Sequence, residues 1–290
     1  MTRWLSWRFN GGVDGTSGGT AALVARWAAL WEEPTRGWDF SEFIGRVFEE
    51  SPPWDYEQLV RYEFGSAGSG LDLGTGGGEF LLSIRDSLPI EMHATEGWPP
   101  NLAVARERLT PLGIEVTEHD GDSGDPLPYP DESVDVVISR HESYSATEVV
   151  RVLRPGGWFV TQQVDGHNLD DLAAHFGVGP AYPSITLARL REEAEDAGLI
   201  IERAQEWHGP IRFDGVDTLV SYLRWMPWQL PADFTVEGYA EELLELHRQE
   251  EPLEFTERCF LLICHRPIPR PPRADPFPQW EKVPTTSRLS

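Results

Sequence analysis

Hydrophobic and polar positions follow two periods along this chain, and the changes between them mark out the elements. From residue 68 to 165, short apolar runs take turns with stretches of helical spacing. Leu71-Asp72-Leu73 predicts a short strand, and Phe80, Leu81, Ile84 and Leu88 predict a helix ended by Pro89. Ile90–Glu96 predicts a second strand, Asn101–Leu109 a second helix, and Gly113–Thr117 a third strand. Val134-Asp-Val-Val-Ile-Ser139 is apolar enough to be buried on both faces. Ala146–Leu153 predicts a third helix, Arg154-Pro-Gly-Gly157 a turn, and Trp158–Val164 a fifth strand. Such alternation predicts an α/β protein: a doubly wound, mostly parallel sheet with helices on both faces.

The flanks read differently. Leu23, Trp27, Leu30 and Trp31 put an apolar stripe on a helix over 20–31, and Phe40, Phe43, Ile44, Val47 and Phe48 predict another over 39–50. After the alternating region come a helix over Thr186–Ala197 capped by Gly198, a strand at Leu199–Ala204, a polar and aromatic insertion at about 207–250, and a last strand at Arg258–His265. Pro267, Pro269, Pro271, Pro272, Pro276, Pro278 and Pro284 make 267–290 an extended or disordered tail. The expected organisation is a helical N-terminal cap at 1–65, a main domain at 66–266, and the tail.

Charge narrows the partners. The 290 residues carry 24 Lys+Arg against 48 Asp+Glu, a net charge of −24, and Lys282 is the only lysine. Gripping a phosphate backbone needs clustered cations, so nucleic acid is disfavoured. No apolar run approaches the roughly 20 residues of a membrane span, and Met1–Arg8 is not followed by the apolar run of a signal peptide. Cys259 and Cys264 are five apart in a predicted strand, on opposite faces, and do not predict a disulfide. No Cys/His spacing matches a zinc site, so no metal is expected. The expected setting is reduced and cytoplasmic.

Candidate chemistry gathers at the ends of the predicted strands, where open α/β sheets bind ligands. Leu71-Asp-Leu-Gly-Thr-Gly-Gly-Gly-Glu-Phe80 is a glycine-rich strand-to-helix turn that lets backbone approach a ligand. Gly74 and Gly76 fit the first two positions of a dinucleotide fingerprint, but Glu79 stands at the third. A carboxylate there would face a pyrophosphate, which favours a ligand with no phosphate and a positive centre. Glu96 lies about 20 residues past the glycines, the offset of a ribose-binding acid. His119-Asp-Gly-Asp122 offers an acceptor to an adenine amino group, and Ser139-Arg-His-Glu-Ser-Tyr144 is a polar cluster after a buried strand.

The ordered set Asp72-x-Gly74-x-Gly76-x-Gly78, Glu96, Asp120/Asp122 with Leu127-Pro128, Val134-Asp-Val-Val137 and Leu153-Arg-Pro-Gly-Gly157 resembles class I S-adenosylmethionine-dependent methyltransferases of the type 11 group. Thr95–Asn101, Arg140-His-Glu142 and Thr161-Gln-Gln-Val164 are similar to a bacterial subset whose substrates are mostly unassigned. The resemblance implies a Rossmann-like seven-stranded sheet with its last strand antiparallel, and S-adenosyl-L-methionine as cofactor. It implies Asp72, Gly74, Thr75, Gly76 and Gly78 against the methionine, Glu96 on the ribose, and Asp120 or Asp122 near the adenine. Ser139 joins them as a cofactor-binding candidate, and His141 and Glu142 are the candidate catalytic bases.

For the glycine loop an ordinary tight turn is the rival reading, and for Glu96 a solvated strand end. For either aspartate, surface charge weighs as much as binding. For His141 and Glu142 a structural role weighs more than a catalytic one. The expected reaction is methylation of an O, N or C atom of an organic small molecule, with the N-terminal tryptophans Trp4, Trp7, Trp27, Trp31, Trp38 and Trp54 and the later Trp225, Pro227, Trp228 and Pro231 together as an aromatic chamber, against a rival reading of helix packing. The alternatives are an RNA or protein methyltransferase, an inactive nucleoside-binding scaffold or sensor, and a nicotinamide-dependent oxidoreductase.

Overall fold

The computed structural model describes residues 17–35, 40–249 and 251–269. Trp4, Trp7, Trp38 and the tail beyond 269 lie outside the described residues. Eight strands form one sheet: β1 Val47–Glu49, β2 Ser69–Leu73, β3 Glu91–Glu96, β4 Glu115–Glu118, β5 Val134–Arg140, β6 Leu153–Val164, β7 Ile200–Phe213 and β8 Leu253–His265, in the order β1-β7-β8-β6-β5-β2-β3-β4. The run β4-β3-β2-β5-β6 is parallel, and β8 lies antiparallel between β6 and β7. The last strand thus runs against its neighbours and the parallel run, as expected, and β1 at the far edge runs the same way as β8.

Nine helices are described: α1 Ser17–Trp31, α2 Tyr56–Phe64, α3 Glu79–Ser83, α4 Pro99–Leu109, α5 Ala146–Val152, α6 Asp170–His175, α7 Leu187–Asp196, α8 Val216–Leu223 and α9 Ala240–His247. On one face α2, α3 and α4 bury Val60, Phe64, Leu81 and Leu109 with Val136 and Ile138 of β5. On the other, α5 and α7 bury Val149, Val152 and Ala194 with Leu71, Val137 and Phe159. Cys259 belongs to the first cluster and Cys264 to the second. Gly198, with φ +96°, lets the Gly198 and Leu199 amides reach the Glu195 and Ala194 carbonyls and so ends α7.

Three expectations are corrected. The helix expected over 39–50 is not formed within 40–50: only a 3-10 turn at Ser41–Phe43 is helical, Gly45 takes a left-handed φ of +78°, and Val47–Glu49 pairs antiparallel with Ile211–Phe213 of β7 as an eighth strand. Val47 and Phe48 are good strand formers, and a distant partner decided the outcome. The insertion begins later than expected, because β7 continues through 207–213, paired with β8 from Leu253. Arg154-Pro-Gly-Gly157 is the bent start of β6, with Gly156 at φ +84° and its amide bonded to the Arg266 carbonyl.

Pairing also shapes the mouth. The end of β6, Val164, faces Cys259, so Leu253–Arg258 of β8 and His208–Phe213 of β7 overrun it. A third cluster fills that overhang: Trp27 of α1, Leu219 and Leu223 of α8, Leu243 of α9, Ile211, Phe213 and Phe255. The Trp27 indole donates to Asp217 at 2.9 Å, tying α1 to α8.

Candidate functional site

The glycine loop joins β2 to α3 at the sheet's carboxyl edge. Gly74, Gly76 and Gly78 all hold positive φ (67°, 62° and 83°), where a side chain is strained. Two have a second reason to be glycine. A Cβ at Gly78 would overlap Leu109 of α4, and one at Gly74 would overlap the Glu142 side chain. The Thr75 amide bonds the Thr95 carbonyl of β3 at 2.8 Å, which fixes the loop against the next strand. Glu79 turns to Arg108 of α4 in an exposed ion pair, so it does not face the loop's ligand side as its sequence position suggested.

Asp72 is buried at 4% exposure on the face that carries Val136 and Ile138. Burial pushes its carboxyl up to about 7, against the pull of the Thr75 hydroxyl and the Arg140 charge. The Thr75 hydroxyl is itself buried and has no well-aligned hydrogen bond.

Glu96, at the end of β3, is also only 4% exposed. Its oxygens accept from the Gly76 amide at 2.7 Å and the Trp98 amide at 2.8 Å. Burial raises its pKa and these amides oppose the rise. The Gly97 amide and the Asn101 side chain also donate to it. Asp120 accepts from the Asp122 amide at 3.0 Å, so this pair forms a tight turn after β4.

The end of β5 brings the other candidates together. Ser139 is fully buried, donating to the Glu142 carbonyl at 3.3 Å and accepting from Gln163 at 3.2 Å, so its hydroxyl braces the loop. His141 sits at φ +63°, with Nε2 3.3 Å from Gln162 Nε2. It keeps an exposed edge, yet burial of the rest of the ring, helped by Arg140, pushes its pKa down to about 4. Glu142 lies over Gly74 and accepts from the Gly121 amide. Burial, then Glu96, Asp122 and Asp120, push it up to about 7. A small cleft opens beside it, lined by Leu73, Thr95, His119, Gly121, Leu127 and Tyr144 among others.

Comparison with known proteins decides what this geometry belongs to. Residues 71–161, which span the glycine loop, Glu96, the Asp120/Asp122 turn and β5, match the family described as "Methyltransferase domain". This stretch is a methyltransferase domain. The biotin biosynthesis bifunctional protein BioHC of Teredinibacter turnerae is 27% identical over 166 residues, covering 49% of this chain and 29% of that protein. The chain therefore spans under a third of that curated relative. The YcgJ protein of Bacillus subtilis shares the fold at TM-score 0.52 and 18% identity, over 73% of this chain and 98% of its own. A proposed methyltransferase of Bacillus halodurans C-125 does so at TM-score 0.51 and 17% identity, over 73% of this chain and 99% of its own.

The cofactor of such a domain is S-adenosylmethionine, and the residues present fit it. Acids at Asp72 and Glu96 suit ammonium and hydroxyl donors. Sequence reasoning counted Trp54 among the chamber tryptophans but missed Tyr56 at this mouth. Trp54 donates to Gln162 at 2.8 Å, beside His141. Tyr56 donates to the Ser139 carbonyl at 3.2 Å, and its ring lies 5.4 Å from Phe80. For Tyr56 the only hint was the arginine directly after a buried apolar strand. No described helix is long and apolar enough to cross a membrane.

Proposed function

We propose that the protein methylates an O, N or C nucleophile of an organic small molecule, using S-adenosylmethionine. The observation that carries this reading is the meeting of the left-handed glycine loop with the buried, amide-anchored Glu96. In this reading Glu96 accepts from the ribose hydroxyls, Asp120 or Asp122 from the adenine amino group, and Asp72 faces the methionine end. The cofactor supplies, when bound, an electrophilic methyl group on a cationic sulfur. A small acceptor is supported by the acidic chain, with its net charge of −24, which repels polyanions. It is supported too by the aromatic overhang on the mouth side of β6, where Phe40 lies 5.1 Å from Trp225 and Phe43 lies 5.3 Å from Tyr222.

Between the two candidate bases, Glu142 suits the work better. A base is most useful when its pKa is close to the working pH. Glu142 lies at about 7, whereas His141 at about 4 is neutral and weakly basic. Alignment of the acceptor and its removal from water supply the rest of the rate. The test is transfer of labelled methyl from S-adenosylmethionine into a metabolite extract, with RNA and protein fractions alongside. Label in a small-molecule fraction is expected, and label confined to RNA or protein would overturn the substrate class.

A further inference from the structure

Three side chains at the mouth can place their protons in only one way. The Trp54 indole Nε1 lies 2.8 Å from Gln162 Oε1, and Gln162 Nε2 lies 3.3 Å from His141 Nε2. An indole N–H donates and never accepts, so the Gln162 carboxamide must turn its oxygen to Trp54. The reversed amide would set two donors 2.8 Å apart. The Gln162 amino group, which only donates, then faces His141. His141 Nε2 must accept, so the ring proton sits on Nδ1.

Backbone holds both ends of this relay. Trp54 is buried directly before Asp55, whose carboxylate accepts from the Gln58 amide at 3.0 Å and so starts α2. Gln162 lies on β6 opposite Arg140 of β5, and its carbonyl accepts from the His141 amide at 2.9 Å. That bond helps to hold His141 at φ +63°, a strained conformation for a residue with a Cβ. The backbone thus sets where the ring lies, and the side chains set which nitrogen carries the proton. The Nε2 lone pair is taken by Gln162, so the ring has none left for a proton, in keeping with its depressed pKa. What it does have is an Nδ1–H with no partner among the described residues, on an exposed residue next to Glu142.

We propose that Trp54 and Gln162 lock His141 as a neutral hydrogen-bond donor, and that its Nδ1–H binds an accepting oxygen beside the atom to be methylated. His141 is then a specificity-determining residue, and Trp54 and Gln162 are positioning residues. A site built around a fixed donor rejects an acceptor molecule that lacks the matching oxygen. The role toward the acceptor rests on the methyl-transfer reading above, whereas the position of the ring proton does not.

Two measurements test it. The first is NMR of the imidazole nitrogens in unliganded, nitrogen-labelled protein at neutral pH, with the His141 signal assigned by its loss in His141→Asn. The wild-type ring should carry its proton on Nδ1 and none on Nε2. Gln162→Glu cannot donate, so it should put a proton on Nε2, and Trp54→Phe should free the amide to turn and relax the lock. A wild-type ring protonated on Nε2, or a signature unmoved by both variants, overturns the relay. The second is transfer of labelled methyl into the metabolite extract by two variants of one shape, both tolerant of a left-handed φ. His141→Asn keeps an N–H donor near the place of Nδ1 and should keep most of the transfer. His141→Asp has none and should lose about 10–100-fold, the cost of leaving a polar pair unmade. Equal transfer by the two overturns the donor role, with matching melting temperatures as the check on folding. If the wild-type chain labels no fraction, the methyl-transfer reading fails and the donor role falls with it, while the ring-proton result stands by itself.

Discussion

The two ends of the sheet are built on different principles. At the β2–β3–β4 end, backbone and a few acids do the work: three left-handed glycines, a carboxylate anchored by two amides, and a cleft beside them. At the β1–β7–β8 end, large apolar side chains do it: Trp27, Phe213, Leu219 and Phe255 packed around strands that overrun their neighbour. The first end is specified residue by residue and is ready for a ligand shared across a family. The second is specified by volume, which leaves its surface free to vary with the acceptor. Stability and cofactor affinity should therefore separate between the two ends.

Phe213→Ala gives the largest expected effect. The side chain is fully buried, so its loss should cost about 3–5 kcal/mol of stability, measured by denaturant unfolding. S-adenosylhomocysteine affinity in the folded fraction should not change. A parallel loss of affinity would mean the two ends are coupled.

Gly78→Ala attacks the other end through the backbone. Its φ of +83° and the overlap with Leu109 should together cost about 1–3 kcal/mol. Because the loop must shift, cofactor binding should fall as well, visible by calorimetry. Wild-type affinity in this variant would show that the loop conformation is not what holds the ligand.

Glu96→Ala should weaken S-adenosylhomocysteine binding by about 1.5–3 kcal/mol, the range for hydrogen bonds to a charged group. An unchanged dissociation constant would place the ribose elsewhere.

The smallest expected effect is on pH dependence. Asp72, Glu142 and Glu257 are each pushed up to about 7, mainly by burial, with Glu49 adding to the rise at Glu257. A carboxyl whose folded pKa exceeds its unfolded value binds its proton more tightly when folded. Its contribution is full below the unfolded value and is lost as pH rises through the folded one. Asp86, Asp135 and Glu148 shift the other way and act below their ordinary values, at more acid pH. His141, lowered to about 4, works against the raised carboxyls as pH falls below its ordinary value of 6.5, but three raised carboxyls outweigh one lowered imidazole, so the unliganded protein should melt lower at about pH 8 than at about pH 5.5, and Glu142→Gln should shrink that difference. A rise in melting temperature over this window would contradict the burial of these acids. Methyl transfer, if Glu142 takes the proton, should increase through pH 7 and lose that limb in the same variant.

The contrast also explains what was legible in the sequence. Glycines at left-handed positions and an acid at a fixed offset are local demands, so Asp72–Gly78 and Glu96 could be read in place. The misreadings lie where distant pairing decides. Residues 39–50 carry a helical apolar stripe, but Gly45 breaks it and β7 recruits Val47–Glu49. The run 207–213 looked like an insertion because its partner, Leu253–Glu257, is some forty positions away. Arg140 was visible as a residue, but its place against the Phe80 and Tyr56 rings is a fact of three dimensions.

The most direct test of the central claim is calorimetry of the wild-type chain with S-adenosylhomocysteine and, separately, NADH. The account predicts one S-adenosylhomocysteine site, weakened by Glu96→Ala, and no binding of the nicotinamide. Tight NADH binding with none of S-adenosylhomocysteine would contradict it.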